Sequence, residues 1–145
     1  VTRAPRSRAG LAVVVVLLVP VGLAARLLPG TAGDVAGGLL YAAMLVMLCA
    51  LVAPRARSVT LGAVAAALGV GIELLQLTGL PAALAETIPA ARYVLGSTFV
   101  APDLVVAIVG AALAAAVDSL VPRLRARTHS HAPDAAQSVP RQRQG

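Results

Sequence analysis

The chain has 145 residues, 59% of them apolar, a formal net charge of +6 and a mean hydropathy of +0.88. A water-soluble domain of this size has too little interior to hide so much apolar side chain, so the composition points to a polytopic membrane protein. The positive charge does not mark a nucleic-acid binder, because the arginines lie at segment ends and only two tyrosines, one phenylalanine and no tryptophan could interleave with them.

All twelve basic residues are arginine, which reads as codon usage rather than function. The lone cysteine, Cys49, sits in an apolar run and can build neither an intrachain disulfide nor a thiolate metal site. In chain order, residues 1–9 carry Arg3, Arg6 and Arg8 and no acid, forming a basic N-terminal segment. Residues 10–28 follow as an apolar run. Its basic start and the small residues Ala24 and Ala25 fit a signal peptide, but the run exceeds the ~7 to 15 residues of a signal core, so an uncleaved first span is expected. Pro20 should kink this helix or loosen one of its hydrogen bonds. Arg26, near the far end, either snorkels to the interface or reaches a buried acid.

Residues 29–34 read as a turn, and residues 35–53 as a second span free of charge, with Tyr41 placed as an interfacial anchor. A short basic connection holding Arg55 and Arg57 leads into the third span, residues 59–80. There Gly62, Ala66, Gly69, Glu73 and Gln76 recur at intervals of four, three, four and three, and so share one helix face. An acidic side chain inside hydrocarbon costs roughly 3 kcal/mol on insertion scales, so this face should look inward at other helices.

Residues 80–100 are apolar in places but broken by Pro81, Pro89 and Gly96, and are expected to form two short interfacial or re-entrant helices, roughly 81–88 and 89–95. The fourth span, 101–121, opens with Ala-Pro-Asp and places Asp103, Ala107, Gly110, Ala114 and Asp118 on one face. Small residues at such spacing let backbones approach, so the third and fourth spans should be neighbours, within the chain or across a subunit interface. Residues 123–145 read as a disordered basic tail. Its His129 and His131 have no third ligand, and no metal site is expected.

The expected fold is therefore all-α: a transmembrane domain over 10–122 with four spans and short helices between the third and fourth. Arg3, Arg6, Arg8, Arg55, Arg57, Arg123, Arg125, Arg127, Arg141 and Arg143 fall on one side of such a bundle, and Arg26 and Arg92 on the other. The positive-inside rule then puts both termini in the cytoplasm, with the spans in the cell membrane. On the outer side Glu73, Gln76, Arg92, Asp103 and Arg26 converge on one leaflet. Buried charges need partners, and the economical pairing joins Glu73 or Asp103 to Arg92 or Arg26.

The stretches GIELLQL (71–77) and RYVLGSTFVAPDLVVAIVGAAL (92–113) resemble the small bacterial membrane proteins of domain-of-unknown-function family 2809. The order Glu73, Gln76, Arg92, Asp103, Gly110 is also similar, more distantly, to the VanZ-like family associated with teicoplanin resistance. Ala107 departs from the pattern, standing where an asparagine or aromatic residue is expected. The resemblance implies a fold and a membrane address. From the residues, the leading expectation is an outward-facing polar site for a charged group on an amphiphilic or cell-envelope ligand, with Glu73, Gln76, Arg92, Asp103 and Arg26 lining it. The alternative is a structural or accessory membrane subunit, packed as a homo-oligomer or with a partner through Gly62, Ala66, Gly69, Ala107, Gly110 and Ala114. No catalytic residue, cofactor or nucleic-acid partner is expected.

Overall fold

A computed structural model describes residues 5–96 and 99–129, with side chains of the last helix up to Val121. Six helices follow one another: α1 (Arg8–Ala25), α2 (Thr31–Val52), α3 (Ser58–Gln76), α4 (Leu80–Thr87), α5 (Ala91–Leu95) and α6 (Ala101–His129). No strand occurs among the described residues. Four of the helices, α1, α2, α3 and the Ala101–Val121 part of α6, are long and apolar enough to cross a membrane.

The helix ends follow local chemistry. Ser7 caps α1, its hydroxyl accepting the Gly10 N–H at 3.3 Å. α3 ends at Gln76, and the turn after it reaches Gly79, whose φ of 73° lies in the left-handed region that a glycine enters without a Cβ clash. The same residue launches α4, with Pro81 in its first turn, where a missing N–H is no loss. The second expected short helix begins later than the sequence suggests: Pro89 sits in the turn, and α5 starts only at Ala91. Ile88, just ahead of that proline, is extended (φ −125°, ψ 89°), the conformation a following proline ring favours. α1 runs unbroken through Pro20.

The four long helices run up and down, and α6 lies between α2 and α3, packing on both, while α1 packs on α2. At the heart of the bundle Val46 and Ala50 of α2 meet Leu61 and Ala65 of α3 and Ala111 of α6. Most of these side chains are small. In a bilayer lipid tails are as apolar as leucine, so helices associate through close van der Waals contact, and small residues permit it. Gly62 shows how close: a Cβ there would lie 2.7 Å from the Ala115 Cβ and 3.3 Å from the Ala111 carbonyl oxygen.

The third and fourth spans are thus neighbours within one chain. The small-residue stripe on α6 divides, however. Ala107 faces α3, where a Cβ on Gly69 would come 3.1 Å from it, and Ala111 and Ala115 continue that edge. Gly110 faces α2 instead, 2.7 Å from Ala42 by the same construction, and the expectation that it packs on the third span is corrected. Ala66 and Ala114 pack at the margin of the central cluster. Outward, the long helices carry exposed valines and leucines, among them Val13, Val16, Leu17, Val64 and Val105, an apolar coat suited to lipid.

α6 continues as helix past Pro122 to His129. Of the tail expected from 123 onward, residues 130–145 with His131, and the side chain of His129, lie outside the described residues.

Candidate functional site

Both ends of the bundle carry polar clusters, and they differ in kind. At the end formed by the starts of α1 and α3, Arg6, Ser58 and Asp118 are tied into one hydrogen-bonded network. Arg6 donates from Nε to Asp118 Oδ1 at 2.8 Å and from Nη2 to Asp118 Oδ2 at 2.5 Å. Its Nη1 reaches the carbonyl oxygens of Pro54 at 3.1 Å and Ala56 at 2.8 Å. The Ser58 hydroxyl, buried, donates to Asp118 Oδ2 at 2.6 Å. One guanidinium thereby joins the segment before α1, the α2–α3 loop and α6. Asp118 thus takes a guanidinium partner from the other end of the sequence.

The opposite end, where α3 finishes and α6 begins, holds the residues singled out as a candidate site. Glu73 lies one helical turn inside the end of α3. Its carboxylate faces the backbone N–H of Val100 and is within electrostatic reach of Asp103 and Tyr41. Asp103, in the first turn of α6, feels both Asp34 in the first turn of α2 and Arg26 at the end of α1. Gln76 donates from Nε2 to the Leu95 carbonyl at 2.8 Å, which pins α5 against the end of α3. The fit is close enough to require glycine at 96: its φ is +66°, and a Cβ there would sit 2.4 Å from Gln76 Nε2.

Two acceptor atoms here are buried without a hydrogen-bond partner among the described residues, Glu73 Oε2 and Gln76 Oε1. Buried polar atoms are nearly always satisfied, so an orphan pair one turn apart is a feature to be explained.

Arg26 forms no salt bridge with an acid among the described residues. Its stem lies over Gly37, where a Cβ would come 2.9 Å from Arg26 Cγ, and its charge reaches Asp103. Glycine at 37 makes room for that stem. Arg92 does not join the cluster: it is exposed, with its guanidinium 5.2 Å from the Tyr93 ring centroid, and forms no salt bridge with Glu73 or Asp103. The proposed pairing of Arg92 with either acid is corrected. A five-residue helix rotates freely in sequence space, and nothing in its pattern fixed which way Arg92 would face.

Two participants were missed. Asp34 read as part of a turn, and Tyr41 as an interfacial anchor. Instead the Tyr41 hydroxyl donates to the Val94 carbonyl at 2.6 Å, tying α2 to α5, while its ring lies near Glu73 and Arg26. The signal that could have found them is positional: both lie in the half of α2 that follows the Arg26 turn, Asp34 in its first turn and Tyr41 near its middle. Among the described residues no group of three or more His, Cys, Asp or Glu side chains is close enough to hold a metal ion. The arrangement is therefore a chain of neighbouring acids, Glu73 beside Asp103 and Asp103 beside Asp34, with Arg26 within electrostatic reach of Asp103 and, among the described residues, two acceptors facing no donor.

A family described as protein of unknown function, DUF2809, matches residues 27–111. That stretch contains Asp34, Tyr41, Glu73, Gln76, Arg92 and Asp103 and ends short of Asp118. No curated protein and no solved structure matches the chain.

Proposed function

The chain belongs to the DUF2809 family, and from that premise we propose that its polar end is an outward-facing site that binds the charged group of an amphiphilic or cell-envelope molecule, in a protective role of the VanZ-like kind. The observation that carries this reading is the pair of buried acceptors without donors among the described residues, Glu73 Oε2 and Gln76 Oε1. A ligand bearing N–H groups would satisfy both at once. Three carboxylates against one arginine favour a cationic group, such as a primary amine, over an anion. The arginine distribution supports the orientation: Arg6, Arg8, Arg55 and Arg57 lie at the far end of the bundle, which the positive-inside rule assigns to the cytoplasm together with both termini. The polar end then lies under the outer leaflet of the cell membrane, where an amphiphile's head can reach it.

The test is a deletion strain complemented with wild-type protein or with Glu73→Gln, profiled against cationic and uncharged envelope-active compounds. Protection against the cationic set should depend on Glu73 at equal protein level. Equal protection by Glu73→Gln would sink the reading.

A structural or accessory subunit is the second reading. It draws on α1, which packs on α2 and leaves Val13, Val16 and Leu17 exposed along its flank. It predicts a homo-oligomer or partner complex that survives mild detergent and a Glu73→Gln variant without phenotype.

A further inference from the structure

Away from the polar end, α2 and α3 part to leave a crevice of about 400 Å³ open along their outer side. Leu45, Cys49 and Val52 form one wall, Val64 and Leu68 the other, and Ala56 of the connecting loop closes the lower end. At 1.5 Å per residue the wall from Leu45 to Val52 is ~10 Å long, and with the loop it nears the ~15 Å hydrocarbon depth of one leaflet. The crevice is apolar but for Thr60 in its lining. What stands at its mouth is not: Arg55 and Arg57 flank Ala56 in the loop, both exposed and neither in an ion pair among the described residues. Arg6, another guanidinium at this end, is committed to Asp118, Pro54 and Ala56 and holds that loop in place.

We propose that this crevice is a binding site for an anionic phospholipid of the surrounding leaflet, one acyl chain lying between α2 and α3 and the phosphate held by Arg55 and Arg57. The apolar walls select a chain, and the length of one leaflet fits it. Charge complementarity selects the head: two unpaired guanidinium groups at headgroup depth attract a phosphate with a net negative charge and gain little from a zwitterion. A second copy of this chain would bring the same arginines against themselves, so lipid is the better occupant. The fixed loop matters as much as the charge, because the Arg6 hydrogen bonds keep Arg55 and Arg57 at the mouth rather than leaving them on a mobile linker.

The proposal is tested by native mass spectrometry of the full chain released from detergent micelles containing dioleoylphosphatidylglycerol or dioleoylphosphatidylcholine, which carry identical chains. The wild type is expected to retain one phosphatidylglycerol about tenfold more strongly than phosphatidylcholine. Arg55→Gln with Arg57→Gln should erase that preference while weak retention of both lipids persists. Val64→Phe, at a position 47% exposed and so tolerant of bulk, should lower retention of both by filling the crevice. Soluble glycerol phosphate should not compete. Equal retention of the two lipids by the wild type overturns the proposal. So does phosphatidylglycerol retention untouched by Val64→Phe, which would mean headgroup adhesion alone, competition by glycerol phosphate, which would mean a phosphate site, or a lipid-free dimer, which would mean a second copy in the crevice.

Discussion

Arg6 and Asp118 stand 112 residues apart in the chain and meet through two parallel hydrogen bonds, Nε to Oδ1 at 2.8 Å and Nη2 to Oδ2 at 2.5 Å. The side chains are 14% and 11% exposed, so the pair is sheltered without being fully buried. Removing Arg6 takes the two-pronged partner from Asp118, which keeps its Ser58 bond, and strips the Pro54 and Ala56 carbonyls of a donor. Losing one partner of a fully buried pair costs ~3–5 kcal/mol, and the residual exposure brings the expectation for Arg6→Ala down to about 1–3 kcal/mol. Thermal unfolding in detergent should show this as a loss of several degrees. Arg6→Lys should recover less than half of it, because an ammonium cannot present the fork that bonds two oxygens and two carbonyls together. Full recovery by lysine would mean that charge alone matters here.

How much of this could be read in advance depends on how local the cause is. The four spans are set by length and apolar content, and α4 and α5 by Pro81, Pro89 and Gly96, so these were legible in outline. The neighbourhood of α3 and α6 was legible too, from small residues at helical spacing. Gly110 was not assigned to its true partner, because a 100°-wide stripe on a helix wedged between two others serves both, and periodicity cannot divide it. The Arg6 to Asp118 bond was invisible for a different reason: both residues sit at span ends where arginines usually meet water or headgroups, and their pairing is purely a matter of tertiary geometry. Asp34 and Tyr41 were hidden by plausible local roles, a turn and an interface.

The glycines of the bundle make a graded test of packing. Gly62→Ala and Gly110→Ala each drive a methyl to about 2.7 Å from another helix's Cβ, with backbone close behind, so neither neighbour can simply swing aside. Forced overpacking typically costs ~1–3 kcal/mol, and each variant should lose that much in a denaturant titration in mixed micelles. Gly71→Ala is the control. A Cβ there meets nothing within 4 Å, and the gain in helix propensity should leave stability unchanged or raised by up to ~1 kcal/mol. Similar losses at all three positions would show that close helix approach is not what these glycines provide.

The short helix α5 is held at two points, by Tyr41 Oη to the Val94 carbonyl and by Gln76 Nε2 to the Leu95 carbonyl. Tyr41→Phe removes the first bond alone and should raise amide hydrogen exchange in α5 without moving global stability by more than about 1 kcal/mol. Gly96→Ala should do more, since it pushes Gln76 out of its bond and forces a side chain onto a backbone at φ +66° with ψ near 180°, a region essentially reserved for glycine. The expected order of protection in α5 is wild type, then Tyr41→Phe, then Gly96→Ala. Unchanged exchange in Tyr41→Phe would mean that the hydroxyl bond does not restrain the helix.

Glu73 offers the sharpest separation of a ligand site from interhelical glue. If its carboxylate were there to hold helices together, Oε2 would have a donor, and replacing it would cost ~1 kcal/mol or more per bond lost. Among the described residues Oε2 has no such donor, and the charged group on α6 that it feels is another acid, Asp103. Glu73→Gln keeps an oxygen for the Val100 N–H, removes the like charge facing Asp103 and supplies an amide that can donate to it. The variant should therefore melt at or above the wild-type temperature, by up to ~1 kcal/mol, while losing protection against cationic envelope-active compounds. Stability gained together with function lost is the mark of a group kept for what it binds. Glu73→Gln melting several degrees lower, with protection intact, would place the residue in the scaffold instead.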